Sequence, residues 1–233
     1  MSSLSPCGSR DKASAPLSFA GDVDEPGPAV IGAQLRPLVG KVTGPLVNRL
    51  HAWGVTPDAV TATGTVGVVA AALTFFPGGH FLVGTLVITL FVLTDTIDGA
   101  LARKRGISSS FGAWLDSSCD RVADGAIFGA LLLWYAGTGD DDVLVAVTLF
   151  VLLCSQVISY EKARAEGLGM TCNVGIAERP ERLIIVLAAT GLVGLGVPDG
   201  LLAGSLWVLA VLSLVTVGQR LREVRRQAGL PTT

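Results

Sequence analysis

From Ala59 to Thr94 the chain carries no Asp, Glu, Lys or Arg. That stretch is too long to cross a bilayer once, which takes about 20 apolar residues. It is interrupted at Pro77-Gly78-Gly79, a turn signal, and so reads as two apolar helices joined by a tight loop. Three further charge-free runs follow, Val143 to Tyr160, Leu183 to Pro198 and Gly200 to Gln219. Between them, Phe111 to Ala136 opens with Asp116, Asp120, Arg121 and Asp124 and closes with the apolar GAIFGALLLWYA. It counts as a span whose polar half is shielded from lipid by neighbouring helices. The expected fold is therefore an all-α integral membrane protein with six transmembrane helices. Composition agrees, since 15% charged residues is well below the roughly 25% of a soluble domain. A net charge of −2 supplies no basic face for a nucleic-acid partner.

The distribution of the cations sets the orientation. The turns after spans 1, 3 and 5 (Pro77 to His80, Gly137 to Asp142, Gly196 to Gly200) contain no Lys or Arg, so all 17 lie on the other side. By the positive-inside rule that side is cytoplasmic, and with an even number of spans both termini lie there, in a multi-pass protein of the cell membrane. Residues 1–32, rich in Ser, Pro, Gly and Asp, read as a disordered cytoplasmic tail without the apolar core of a signal peptide. Across 33–54, Leu35, Leu38, Val39, Val42, Leu46, Val47 and Leu50 recur at helical spacing with Arg36, Lys41 and Arg49 between them. This predicts an N-terminal amphipathic helix in the interface. The six-span domain then occupies 55–219, and 220–233 forms a cytoplasmic tail that begins as a solvated helix. The cysteines Cys7, Cys119, Cys154 and Cys172 have no metal-site spacing and read as free thiols.

Charges within spans mark functional sites, and here they converge. Asp95 and Asp98 are three residues apart at the end of span 2, and Asp116 and Asp120 four apart at the start of span 3. Each pair shares a helix face, and the connecting loop lets the pairs meet at one membrane depth. Four such carboxylates cannot all stay ionised without compensation. Divalent cations supply it, and oxygen-only ligation suits Mg²⁺ or Mn²⁺. Two ions sharing these carboxylates would clamp a phosphate. A transporter also uses intramembrane carboxylates, but the chain has no inverted repeat and its charges gather at one membrane face.

The stretch Asp95-x2-Asp98-Gly99-x2-Ala102-Arg103-x8-Gly112-x3-Asp116-x3-Asp120 resembles, spacers included, the signature of the CDP-alcohol phosphotransferases. Members of that family carry the signature across the second and third of six spans. They transfer a substituted phosphoryl group from a CDP-linked alcohol or lipid to an acceptor hydroxyl and release CMP. The resemblance implies that Asp95, Asp98, Asp116 and Asp120 hold two Mg²⁺ ions, with Mn²⁺ as the substitute, and that Asp120 is the general base. It implies that Gly99, Arg103 and Ser109 line the site of CDP-diacylglycerol. Thr56-Pro57-Asp58-Ala59-Val60-Thr61 is similar to the family's segment before span 1, where Asp58 and Thr61 would hold the nucleotide. Homodimers are usual in the family.

Between spans 4 and 5, Lys162 and Arg164 end one helix and Arg179 and Arg182 open the next. Four cations beside the carboxylate cluster suit an acceptor bearing its own phosphate, which arginine binds in bidentate fashion. The elements SQVISYEKARAE and ERPERLIIVL resemble those of the family's actinobacterial phosphatidylinositol phosphate synthases. That branch uses inositol phosphate as acceptor, and Ser159, Lys162, Arg164, Arg179 and Arg182 correspond to positions in or beside its pocket. Glycerol 3-phosphate, giving phosphatidylglycerophosphate, is the alternative acceptor. Asp124, one turn beyond Asp120, falls outside the signature and has no assigned role.

Overall fold

The structure, a computed structural model, describes residues 48–49, 52–93, 101 and 109–229. The tail at 1–32, most of the amphipathic helix expected at 33–54, and the signature residues Asp95, Asp98, Gly99 and Arg103 lie outside the described residues.

Six helices lie wholly within them: α1 (Pro57–Phe75), α2 (Phe81–Val92), α3 (Ser110–Ala136), α4 (Asp142–Gly167), α5 (Arg179–Gly194) and α6 (Gly200–Gln227). Their starts follow local chemistry. Thr56 caps α1 by accepting from the Ala59 amide at 3.3 Å, with Pro57 in the first turn. Ser109 caps α3 through the Gly112 amide at 2.9 Å, and Asp141 caps α4 through the Leu144 amide at 2.9 Å. Pro180 stands in the first turn of α5. The expected turn at Pro77-Gly78-Gly79 is present, with Gly79 at φ 73°, a left-handed conformation that favours glycine.

Each helix packs chiefly on two others, so the six close into a ring in the order α1, α2, α5, α6, α4, α3 and back to α1. The interior is filled by side chains with 2% exposure or less, among them Val68, Phe76, Ile88, Ile127, Phe128, Leu131, Val151, Val186, Leu206 and Leu209. At the end with the short turns, Phe81 lies edge-on to Phe76 and to Trp134, with ring centroids 5.9 and 4.8 Å apart. The outside is apolar too: Leu86, Leu90, Val211 and Leu214 are each about 60% exposed. A bundle apolar both within and without suits a lipid surround.

Three helices, α1, α4 and α6, are long and apolar enough to cross a membrane. The other three expected spans differ for separate reasons. Within the described residues α2 has 12 residues and α5 has 16, while the first half of α3 carries Asp116, Asp120, Arg121 and Asp124. That polar half is open on one side, with Phe111, Trp114 and Val122 more than half exposed.

Candidate active site

The chemistry-bearing residues collect at the end of the bundle opposite the short turns. Gly112, in the first turn of α3, lets α1 approach. A Cβ there would stand 3.1 Å from Ser109 Oγ and 3.3 Å from Asp58 Oδ1. Asp58 and Ser109 therefore meet beside Gly112 at the start of α3. Thr61, one turn along α1, is buried and donates to the Pro57 carbonyl at 3.2 Å.

Asp116 and Asp120 lie one turn apart on α3, Asp116 exposed and Asp120 half-buried. Asp120 accepts from Arg179 Nη1 at 2.8 Å and pairs more loosely with Arg121 Nη2 at 3.9 Å. Beside it opens a cavity of about 750 Å³ walled by α3, α4, α5 and the last part of α6. Arg121, Lys162, Arg179, Arg182 and Arg220 line it against three carboxylates, Asp120, Glu166 and Glu178, with Asp124 behind Arg179 and Arg182, so the cations still outnumber the carboxylates on the wall and behind these two arginines, which suits an anion. Of the expected acceptor set, Ser159, Lys162, Arg179 and Arg182 are on this wall. Arg164 is not. It is exposed, two residues beyond Lys162 and therefore roughly 200° around α4 from it.

Two residues matter more than the sequence reading allowed. Asp124 is 1% exposed and accepts from both acceptor-wall arginines, Arg179 Nε at 3.3 Å and Arg182 Nη2 at 3.4 Å. Arg182, also 1% exposed, donates through Nη1 to the Ala177 carbonyl at 2.8 Å. Arg220, expected to open a solvated tail, is 3% exposed, because α6 continues unbroken to Gln227. It donates to the carbonyls of Val174 (2.9 Å) and Ile158 and to Glu178 Oε1 at 3.3 Å. Thr216 accepts from the Ala177 amide at 3.1 Å, and Gln227 exchanges hydrogen bonds with Thr171. The segment between α4 and α5, which ends at the first arginine of the acceptor wall, is thus stitched along α6.

A signal for both residues was present in the spacing. Asp116, Asp120 and Asp124 recur every four residues and lead into the buried Ile127 and Leu131. Ser213, Thr216 and Arg220 continue the buried stripe of Leu202, Leu206 and Leu209. A polar residue at a core position needs a partner across the helix interface.

Residues 54–218 match the family described as CDP-alcohol phosphatidyltransferase. The chain belongs to that family and is an enzyme of it, and it is a membrane protein. It is 51% identical over 208 residues to a phosphatidylinositol phosphate synthase of Streptomyces avermitilis, covering 87% of this chain and 85% of that protein. Identity to the phosphatidylinositol phosphate synthase of Mycobacteroides abscessus is 49% over 201 residues, 85% and 90% of the two chains. Among solved structures, the Mycobacterium tuberculosis phosphatidylinositol phosphate synthase with CDP-DAG bound superposes with a TM-score of 0.77 at 48% identity, over 79% of this chain and 94% of that one. The same enzyme in complex with manganese and citrate gives a TM-score of 0.76, over 78% and 88%.

Proposed function

We propose that this enzyme transfers the phosphatidyl group of CDP-diacylglycerol to a hydroxyl of inositol phosphate, giving phosphatidylinositol phosphate and CMP. The observation that carries the reading is the cavity beside Asp120, whose wall bears five cations against three carboxylates. A neutral alcohol would not need such a wall, whereas a phosphorylated one would. The names of the relatives point to the same acceptor.

Asp58, Thr61 and Ser109, together with Gly99 and Arg103, would hold the cytidine diphosphate, and Arg103 would add charge-assisted hydrogen bonds. The acceptor phosphate would lie against Ser159, Lys162, Arg179 and Arg182, with Arg164 outside the pocket. Asp116 and Asp120 present only oxygen donors on one helix face, which fits a hard divalent cation such as Mg²⁺ or Mn²⁺. Asp95 and Asp98 would complete a pair of such sites, and manganese is present in one M. tuberculosis structure. When bound, the ions would neutralise the diphosphate and stabilise charge on the departing CMP. Asp120 takes the proton of the acceptor hydroxyl. The freed oxygen attacks the β-phosphorus, and the bond from that phosphorus to the CMP oxygen breaks.

The same reading places six spans in the cell membrane, with both termini and the site in the cytoplasm and the enzyme working as a homodimer. Its support is the gathering of Lys162, Arg179, Arg182 and Arg220 at the cavity end, against Asp140, Asp141, Asp142 and Asp199 at the other. Replacing Asp120 by Asn tests the assignment of the base. CMP release should fall by about 10²–10⁴-fold, the range for losing a general base, while CDP-diacylglycerol still binds. Turnover close to wild type would overturn the role.

A further inference from the structure

Asp124 is one of the most deeply buried carboxylates described, and no step above uses it. Both its oxygens are engaged, Oδ1 with Arg179 Nε at 3.3 Å and Oδ2 with Arg182 Nη2 at 3.4 Å. The two arginines are three residues apart at the start of α5, so their guanidiniums project from one helix face and repel each other. Arg182 is 1% exposed, and among the described residues its Nε has no hydrogen-bond partner. Such a cation is costly without a counter-charge. Asp124 supplies that charge from α3, the helix that also carries Asp120. One buried carboxylate therefore sets the spacing of two cations on the acceptor wall and ties that wall to the helix of the base.

We infer that Asp124 is a positioning residue that holds Arg179 and Arg182 as a preformed receptor for the phosphate of the acceptor. The inference rests on the acceptor assignment made above. Asp124 does not line the cavity. It acts through the two guanidiniums and touches neither substrate. With Arg179 Nη1 on Asp120 and Nε on Asp124, the arginine is fixed in one orientation, and Arg182 is fixed by Asp124 and the Ala177 carbonyl. Fixing them before the acceptor arrives removes the ordering cost from binding.

The consequence is a change in one Michaelis constant and not the other. In Asp124→Asn the volume is kept and the charge removed, so Arg179 and Arg182 lose their common anchor. KM for inositol phosphate should rise on the order of tenfold to a hundredfold, the factor set by one charge-assisted hydrogen bond. KM for CDP-diacylglycerol and kcat should stay within about threefold. Asp124→Glu retains the charge on a longer stem and should fall between wild type and Asp124→Asn.

The experiment varies each substrate in turn and follows CMP release by the full chain in detergent micelles, with thermal midpoints recorded for every variant. An acceptor KM unchanged in Asp124→Asn, or raised in step with the CDP-diacylglycerol KM as a merely structural residue would give, overturns the inference. If Asp124→Asn does not fold, Asp124→Glu decides alone: a rise confined to the acceptor KM supports the role, and no rise or a rise in both refutes it. A wild type that consumes a different phosphorylated acceptor refutes the acceptor assignment, and the same KM split on that acceptor then tests Asp124. A wild type that consumes only a neutral alcohol overturns both.

Discussion

Arg220→Lys keeps the charge at a buried position but removes the planar fork. The arginine spans three acceptors, the carbonyls of Val174 and Ile158 and the Glu178 carboxylate, which come from two different parts of the chain. An ammonium on a flexible stem reaches at most part of that set. At least one of the three acceptors then loses its charged donor, a loss of about 1–3 kcal/mol. For a chain of this size that lowers the thermal midpoint by roughly 2–12 °C. The effect should be concentrated in the segment between α4 and α5, which Arg220 holds against α6. Cys172 reports on it directly. The side chain is fully buried in that segment, and burial pushes its thiol above the usual range, so it reacts slowly at neutral pH. In a background lacking the other three cysteines, maleimide labelling of Cys172 should accelerate about 5- to 150-fold in Arg220→Lys, since each 1.4 kcal/mol of opening is tenfold. A labelling rate within twofold of wild type, with an unchanged midpoint, would refute the claim that Arg220 straps this segment.

Other consequences are local. A Cβ at Gly194 would stand 2.2 Å from the Leu82 backbone nitrogen, so Gly194→Ala must push α5 away from α2 and should destabilise by about 1–3 kcal/mol. A Cβ at Gly204, on α6, would meet nothing within 4 Å among the described residues, and Gly204→Ala should be neutral or stabilise by about 0.5–1 kcal/mol. Thermal midpoints of the two variants in one detergent check both. Lys162→Gln should raise the acceptor KM about tenfold or more, as loss of a charged hydrogen-bond donor does. Arg164→Gln, outside the cavity, should leave that KM within about twofold, and steady-state CMP release separates the two.

The helices were legible in the sequence because their signals are local. The charge-free runs and the Pro-Gly-Gly turn each depend on residues within a few positions of one another, and the Ser109 and Asp141 caps that the structure adds are equally local. The family resemblance implied that Asp58 and Ser109 serve one nucleotide site but said nothing of how α1 meets α3, and the structure supplies a physical reason in the missing Cβ of Gly112. Less of the acceptor wall could be read. Spacing between Lys162 and Arg164 does not say which one faces the cavity until the partners of α4 are known, and α4 packs on α3 and α6. Asp124 and Arg220 were ambiguous for the same reason. Each is a charge at a helix position whose worth depends on a group far away in sequence, Arg182 for the first and Val174 for the second. The span that falls short in apolarity, α3, shows the complementary effect. A helix that builds a polar site gives up some of the hydropathy by which a span is recognised, as the first half of α3 does.

The central claim is that the cationic cavity beside Asp120 selects a phosphorylated inositol. It is tested most directly by offering the purified enzyme CDP-diacylglycerol, Mg²⁺ and three acceptors in competition: inositol phosphate, glycerol 3-phosphate and free inositol. Phosphatidylinositol phosphate should be the dominant lipid product, formed in step with CMP. Predominant phosphatidylglycerophosphate would contradict the acceptor assignment, and efficient use of free inositol would contradict the role given to Lys162, Arg179 and Arg182.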